Sequence, residues 1–286
     1  MIFLAARGHA HQRNKPSPAG KVIAGQASGG DTPHVENAER RGNLILRHVS
    51  CVLPFVAGLS NRGSNVRVTT LLAELLKVSP ETPDPAAMRY ASEFIRRGEL
   101  VAIPTDTFYG IAADPFNLAA VDQIYRVKGR PETRALPILV NSVAQAVSLA
   151  RDVPYTFHKL AAKFWPGPLT LLVEASTAIP LKVTANTGNV ALRWPKSPIV
   201  EALINLVQGP ITGTSGNISG QPACATAVDL LEQLGDRLLL IIDAGETPGN
   251  LASTIVKLEG DDWTVMREGV ITEQSIREAI DDDTEE

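Results

Sequence analysis

From Pro83 to Ile280, apolar runs of strand length alternate with longer segments whose apolar residues recur every three or four positions. That alternation restricts the chain to an α/β fold of strands flanked by helices. Asp84 is placed to cap a helix with Pro85 at its first position; Met88, Ala91, Phe94 and Ile95 follow at helical spacing, and Gly98 stops the run. Asn117 caps a second helix in which Leu118, Val121, Ile124 and Tyr125 share a face. Further helices are expected over 143–150, 155–164, 199–207, 227–234 and 273–280. Strands are expected over 100–103, 136–140, 169–174, 190–193, 210–212, 238–243, 254–258 and 264–267. The whole is a domain of ordinary size.

The first 80 residues have neither period. Lys15-Pro16-Ser17-Pro18-Ala19-Gly20 and Ala27-Ser28-Gly29-Gly30-Asp31 are turn formers, and the apolar patches are short and isolated. The composition predicts a disordered or weakly ordered extension over 1–80, with a short helix at Leu71 to Leu76 before the Ser79-Pro80 break. It holds 10 Lys and Arg against 4 Asp and Glu, whereas residues 81–286 hold 17 against 27. A basic, acid-poor start leaves two readings open, an organellar transit peptide or a start codon assigned too far upstream. Residues 281–286, Asp-Asp-Asp-Thr-Glu-Glu, read as a solvated acidic tail. No apolar run approaches the roughly 20 residues of a membrane span, and the expected location is cytoplasmic unless the extension targets an organelle.

Basic residues that cluster inside the acidic part mark places for anions. Lys128-Gly129-Arg130-Pro131, with Arg134 following, ends the second helix. Lys supplies a point charge and Arg a planar fork suited to phosphate, but a solvated helix end also attracts cations. Pro104-Thr105-Asp106-Thr107-Phe108-Tyr109-Gly110 follows a strand, where α/β sheets hold ligands. Its hydroxyls and carboxylate could hold a small polar substrate or bond their own backbone. Gly213-Thr214-Ser215-Gly216-Asn217-Ile218-Ser219-Gly220 offers N–H and hydroxyl groups to an anion, or is simply a tight glycine turn. It lacks the ending of a P-loop. Arg193, Ser253 and Arg267 sit at strand ends.

Other chemistries find little here. His158 is the one histidine after residue 48 and lies on a helical pattern. The two cysteines, Cys51 and Cys224, are far apart, so neither a zinc site nor a disulfide framework is expected. A reaction run by positioning polyanions suits this inventory better than a protein nucleophile.

Taken in order, the 104–110 segment, Lys128-Gly129-Arg130-Pro131, Val190-Ala191-Leu192-Arg193-Trp194-Pro195, Ser215-Gly216-Asn217-Ile218-Ser219-Gly220 and Ser253-Thr254-Ile255-Val256 resemble the YrdC family, the threonylcarbamoyl-AMP synthases of tRNA modification. The resemblance runs from about Pro83 to Ile280 and omits the extension; it implies a short form with a single YrdC-like catalytic domain over 83–280. It further implies a twisted mixed sheet flanked by helices around a large concave basic cavity. The implied substrates are L-threonine, bicarbonate and ATP with its Mg²⁺, with no tightly bound cofactor. The product would be handed to a tRNA threonylcarbamoyl transferase complex, with weak tRNA binding as a further expectation. Carried over by position, Thr105, Thr107, Arg193 and Ser253 hold threonine. Lys128, Arg130, Arg134, Ser215, Asn217 and Arg267 hold ATP, and Lys128, Arg130, Ser215 and Asn217 are catalytic. Two departures stand out: Gly216 replaces the more usual Ala, a change expected to be mild, and Trp194 adds bulk after Arg193. An RNA-binding module without catalysis and a carbamoyl-transfer protein related to hydrogenase maturation are the competing readings.

Overall fold

Local chemistry sets most of the helices. In the computed structural model, which describes residues 73–260 and 262–282, Asp84 accepts hydrogen bonds from Ala86 N and Ala87 N and starts α1 (Pro85–Arg96). Its face of Met88, Ala91 and Ile95 is buried. Asn117 does the same for α2 (Leu118–Lys128) through Ala119 N and Ala120 N, and Gly129 ends that helix in the left-handed region at φ 56°, where a side chain would be strained. Leu118 departs from the expected face: it is 53% exposed, and Ala120 takes its place in the core. Leu118 and Ala119 are both exposed, so the buried stripe of α2 begins two positions later, at Ala120. The remaining helices are α3 (Val143–Leu149), α4 (Tyr155–Phe164), α5 (Pro198–Val207), α6 (Ala227–Leu234) and α7 (Glu273–Asp281).

The strands form two mixed sheets. The first contains β1 (Glu74–Lys77), β2 (Val101–Ile103), β3 (Gly110–Ala112), β8 (Thr214–Ser215) and β9 (Leu240–Asp243) in the order β1-β9-β2-β3-β8. The second contains β4 (Ile138–Leu139), β5 (Leu169–Glu174), β6 (Asn189–Arg193), β7 (Ile211–Thr212), β10 (Thr254–Glu259) and β11 (Asp262–Arg267) in the order β11-β10-β5-β6-β4-β7. An α/β fold with mixed sheets and flanking helices is thus observed, with two sheets where one was expected.

Three expectations change. The segment expected as a helix at Leu71 to Leu76 runs into β1, which pairs in parallel with β9, Glu74 against Leu240. Glu, Leu and Lys favour helices locally, but the open edge of β9 wins by satisfying the backbone: Glu74 N donates to Leu239 O at 2.9 Å. The fold therefore reaches back at least to Ala73 rather than beginning at 83; the expected disorder of the preceding residues lies outside the described ones. At the other end, Asp281 closes α7 and Asp282 caps it, so the first two residues of the expected 281–286 tail belong to the helix, and the rest of that tail lies outside the described residues. Finally, two strands were not expected: β3, which starts at the last residue of the 104–110 segment, and β8, which lies within the 213–220 turn.

Candidate functional site

The candidate residues gather where strand ends of both sheets meet. The 104–109 loop joins β2 to β3 in the first sheet, and Arg193 is the last residue of β6 in the second. Arg193 is 7% exposed. Its Nη2 lies 2.5 Å from Asp106 Oδ1, its Nη1 donates to Thr107 Oγ1 at 3.1 Å, and its Nε donates to Gly167 O at 3.2 Å. The ion pair thus ties the sheets together. Burial draws the guanidinium below its usual range, and Asp106 opposes that shift. Asp106 Oδ2 is buried with no hydrogen-bond partner among the described residues. Thr105 Oγ1 lies 3.1 Å from Thr107 Oγ1 and donates to Phe108 O at 2.8 Å, so the loop hydroxyls bond partly within the loop.

Ser253 precedes β10 beside β5. Its Oγ is 2.9 Å from Thr170 Oγ1 and accepts from Arg267 Nη2 at 3.1 Å. Arg267 also grips Ser253 O from Nε at 3.1 Å and Nη2 at 2.7 Å, and its charge bears on Arg193. Thr254 N donates to Pro168 O at 3.0 Å, next to the Gly167 carbonyl that accepts from Arg193, so Thr107, Arg193, Ser253 and Arg267 lie in one region.

A second knot joins α2 to β8. Lys128 is 1% exposed. Its Nζ donates to Ser215 O, to Asn217 O at 2.7 Å and to Asn217 Oδ1 at 3.5 Å. Of the expected catalytic set of Lys128, Arg130, Ser215 and Asn217, the structure brings Lys128, Ser215 and Asn217 into one cluster, with the lysine facing inward onto carbonyls. Burial pulls the ammonium down to about 7, and Arg130 pushes the same way. Three carbonyl oxygens favour the three-donor ammonium, so burial and hydrogen bonding oppose each other and the net direction is down. Arg130 also bonds inward, from Nε to Arg134 O at 3.2 Å and from Nη2 to Ala135 O at 2.8 Å. Arg134 is exposed. The two knots connect through β3 and β8, in which Gly110 pairs with Ser215.

Asp106 and Thr170 gain roles that sequence reasoning did not assign. Asp106 was in view inside its motif, but its partner lies 87 residues away. Thr170 had a signal, a lone hydroxyl in the apolar run Leu169-Thr170-Leu171-Leu172-Val173. His158 is exposed on α4 and stands edge-on to Phe157, 5.5 Å between ring centroids. The Gly216 departure is less mild than expected. A Cβ there would lie 2.5 Å from Leu230 Cδ1 and 3.2 Å from Tyr109 O. Gly216→Ala should therefore destabilise by about 1–3 kcal/mol, as overpacking does. Urea unfolding would measure it, and Leu230→Ala in the same chain should return part of the loss, a non-additive result.

Fold and site together define an α/β protein with a buried arginine–carboxylate pair beside a lysine-centred turn. The Sua5/YciO/YrdC family model, described as telomere recombination, matches residues 93–269, and the chain belongs to that family. It is 38% identical over 193 residues to a threonylcarbamoyl-AMP synthase of Pyrococcus abyssi, covering 68% of this chain and 57% of that protein. It is 35% identical over 200 residues to a threonylcarbamoyl-AMP synthase of Bacillus subtilis, covering 70% and 58%. A crystal structure of P. abyssi Sua5 complexed with L-threonine superposes with a TM-score of 0.71 at 36% identity, over 73% of this chain and 61% of that one. The chain thus spans less than two thirds of the length of these relatives. No helix among the described residues is long and apolar enough to cross a membrane.

Proposed function

We propose that the chain makes threonylcarbamoyl-AMP and pyrophosphate from L-threonine, bicarbonate and ATP, for transfer to tRNA by a separate threonylcarbamoyl transferase complex. The observation that carries this reading is the buried Arg193, held by Asp106 and Thr107 next to Ser253 and Arg267. A guanidinium fixed in this way suits the carboxylate of an amino acid. The relatives' names and the threonine-bound P. abyssi structure support the same substrate.

In this reading the threonine amine and bicarbonate give a carbamate with loss of water. A carbamate oxygen attacks the α-phosphorus of ATP, and pyrophosphate leaves. Thr105, Thr107 and Ser253 line the threonine end with Arg193. Arg130 and Arg134 meet the phosphates, Lys128 with Ser215 and Asn217 shapes the surroundings of the α-phosphate, and Arg267 reaches the nucleotide. Crowding several anions is the main barrier, and fixed cations lower it. No group of three or more His, Cys, Asp or Glu that could hold a metal occurs among the described residues. In this reading Mg²⁺ arrives with the triphosphate.

Purified protein should release pyrophosphate from ATP only when threonine and bicarbonate are both present. Arg130→Ala should lower ATP use by about 10–100-fold, the loss of one or two charged hydrogen bonds of about 1.5–3 kcal/mol. Release indifferent to threonine would overturn the reading, and salt-dependent tRNA binding without turnover would favour an RNA-binding module instead.

A further inference from the structure

The turn that bears Arg130 and Arg134 is gripped from behind by residues outside the motif. Tyr125, on α2, is 3% exposed. Its hydroxyl lies 3.1 Å from Arg134 O and 3.0 Å from Lys182 O. A phenol has one proton, so a single donor is shared between the basic turn and the loop that runs from β5 to β6. Arg130 Nε donates to the same Arg134 carbonyl at 3.2 Å. The two loops are also joined by Leu136 N, which donates to Val183 O at 2.8 Å. The outer loop is itself constrained, with Ala185 at φ 51° and Asn186 at φ 59°, both in the left-handed region.

Charge links the same loops. Lys182 Nζ contacts Asp122 on α2 and lies 3.4 Å from Glu132 Oε1 inside the basic turn. Glu132 is a carboxylate within two residues of Arg130 and of Arg134, so unscreened it would oppose any anion they hold. Burial pushes the Tyr125 phenol up, and the charges that bear on it are Arg130, Glu132 and Lys182.

We propose that Tyr125 and Lys182 form an outer clamp that preorganises the 130–134 turn for a nucleoside triphosphate, Tyr125 by fixing the Arg134 carbonyl and Lys182 by masking Glu132. The ligand in this proposal rests on the ATP reading above. Both are positioning residues: neither needs to touch the nucleotide.

The test uses the full chain with Tyr125→Phe, Lys182→Ala, Glu132→Gln and Lys182→Ala/Glu132→Gln. Calorimetry reads the Kd for ATP and, separately, for L-threonine; amide hydrogen exchange reads Arg134 and Leu136. Tyr125→Phe should weaken ATP binding about 5-fold, the scale of one ordinary hydrogen bond, and speed exchange at both amides. Lys182→Ala should weaken ATP binding about 2–5-fold at low salt, less at high salt, since the pair is partly exposed. Glu132→Gln should tighten ATP binding, and the double variant should return to wild-type affinity. Threonine affinity should stay unchanged throughout. ATP and threonine affinities falling together, ATP affinity unchanged in Tyr125→Phe, or no rescue in the double variant would overturn the clamp. Wild-type protein that binds no ATP would sink the functional reading instead. The clamp would then stand on faster exchange in Tyr125→Phe, and unchanged exchange would end it too.

Discussion

An Arg193→Met chain should unfold about 3–5 kcal/mol more easily than the wild type, and adding Asp106→Asn should return most of that stability without returning activity. The first half follows from burial. The side chains of Arg193 and Asp106 are 8% and 13% exposed. Removing the guanidinium leaves a carboxylate whose Oδ2 already has no hydrogen-bond partner among the described residues. Stranding one member of a buried pair costs on that scale, whereas removing both charges is often close to neutral. The second half follows from the proposed role of Arg193, because the double variant lacks the guanidinium proposed to hold the substrate carboxylate. Threonine-dependent pyrophosphate release should fall by about 100-fold or more in both variants, the value of two charged hydrogen bonds. Urea midpoints on single and double variants, set beside turnover, separate the two roles. Equal stabilities for the two variants would mean the pair does not act as a buried ion pair, and full activity in either would remove Arg193 from the site.

The contrast between those two residues marks how far the sequence can be read. Helices announced themselves because their signals are local: Asp84 and Asn117 cap where they stand, and Met88, Ala91 and Ile95 need only a 3.6-residue period to face inward. The longer strands were legible for the same reason, β5 to the residue. The first strand was not, because its reason for existing is the edge of β9, more than 160 residues downstream. Within the site, Arg193 stood out as a charge at a strand end. That Asp106 rather than solvent would meet it depends on two sheets converging. The inward turn of Lys128 was equally hidden. Three cations in seven residues suggest a surface for anions, yet the carbonyls that turn the lysine inward lie beyond β7, at Ser215 and Asn217. Resemblance named Lys128, Ser215 and Asn217 together, and the geometry shows that the lysine turns inward onto the carbonyls of the other two.

That inward lysine leads to the second large effect. Lys128→Met keeps an unbranched apolar stem but leaves the carbonyls of Ser215 and Asn217 without their shared donor. Turnover should drop by about 100-fold or more, the scale of losing one preorganised group beside the reacting centre, because the proposed reading puts this lysine and the turn it holds around the α-phosphate. The pH dependence carries a sign that can be checked. An unfolded lysine titrates at its ordinary 10.5, and burial pulls the folded one down to about 7. Between those values the unfolded chain binds a proton that the folded chain does not, so wild-type stability should climb with pH through that window. Below about 7 both states are protonated, and the penalty for burying the charge is present in full. The Met variant lacks this slope. Tyr109, whose buried phenol is pushed up to about 12, slopes the other way above its ordinary 10, so the comparison belongs below that. Unfolding free energies of wild type and Lys128→Met over about pH 7 to 9 should therefore diverge, with the wild type gaining. A flat difference would mean that the three carbonyl oxygens outweigh burial and keep the ammonium charged throughout. In the diverging case, triphosphate bound nearby would draw the proton back. ATP binding near pH 8 should then take up protons, read as a buffer-dependent binding enthalpy that disappears in Lys128→Met.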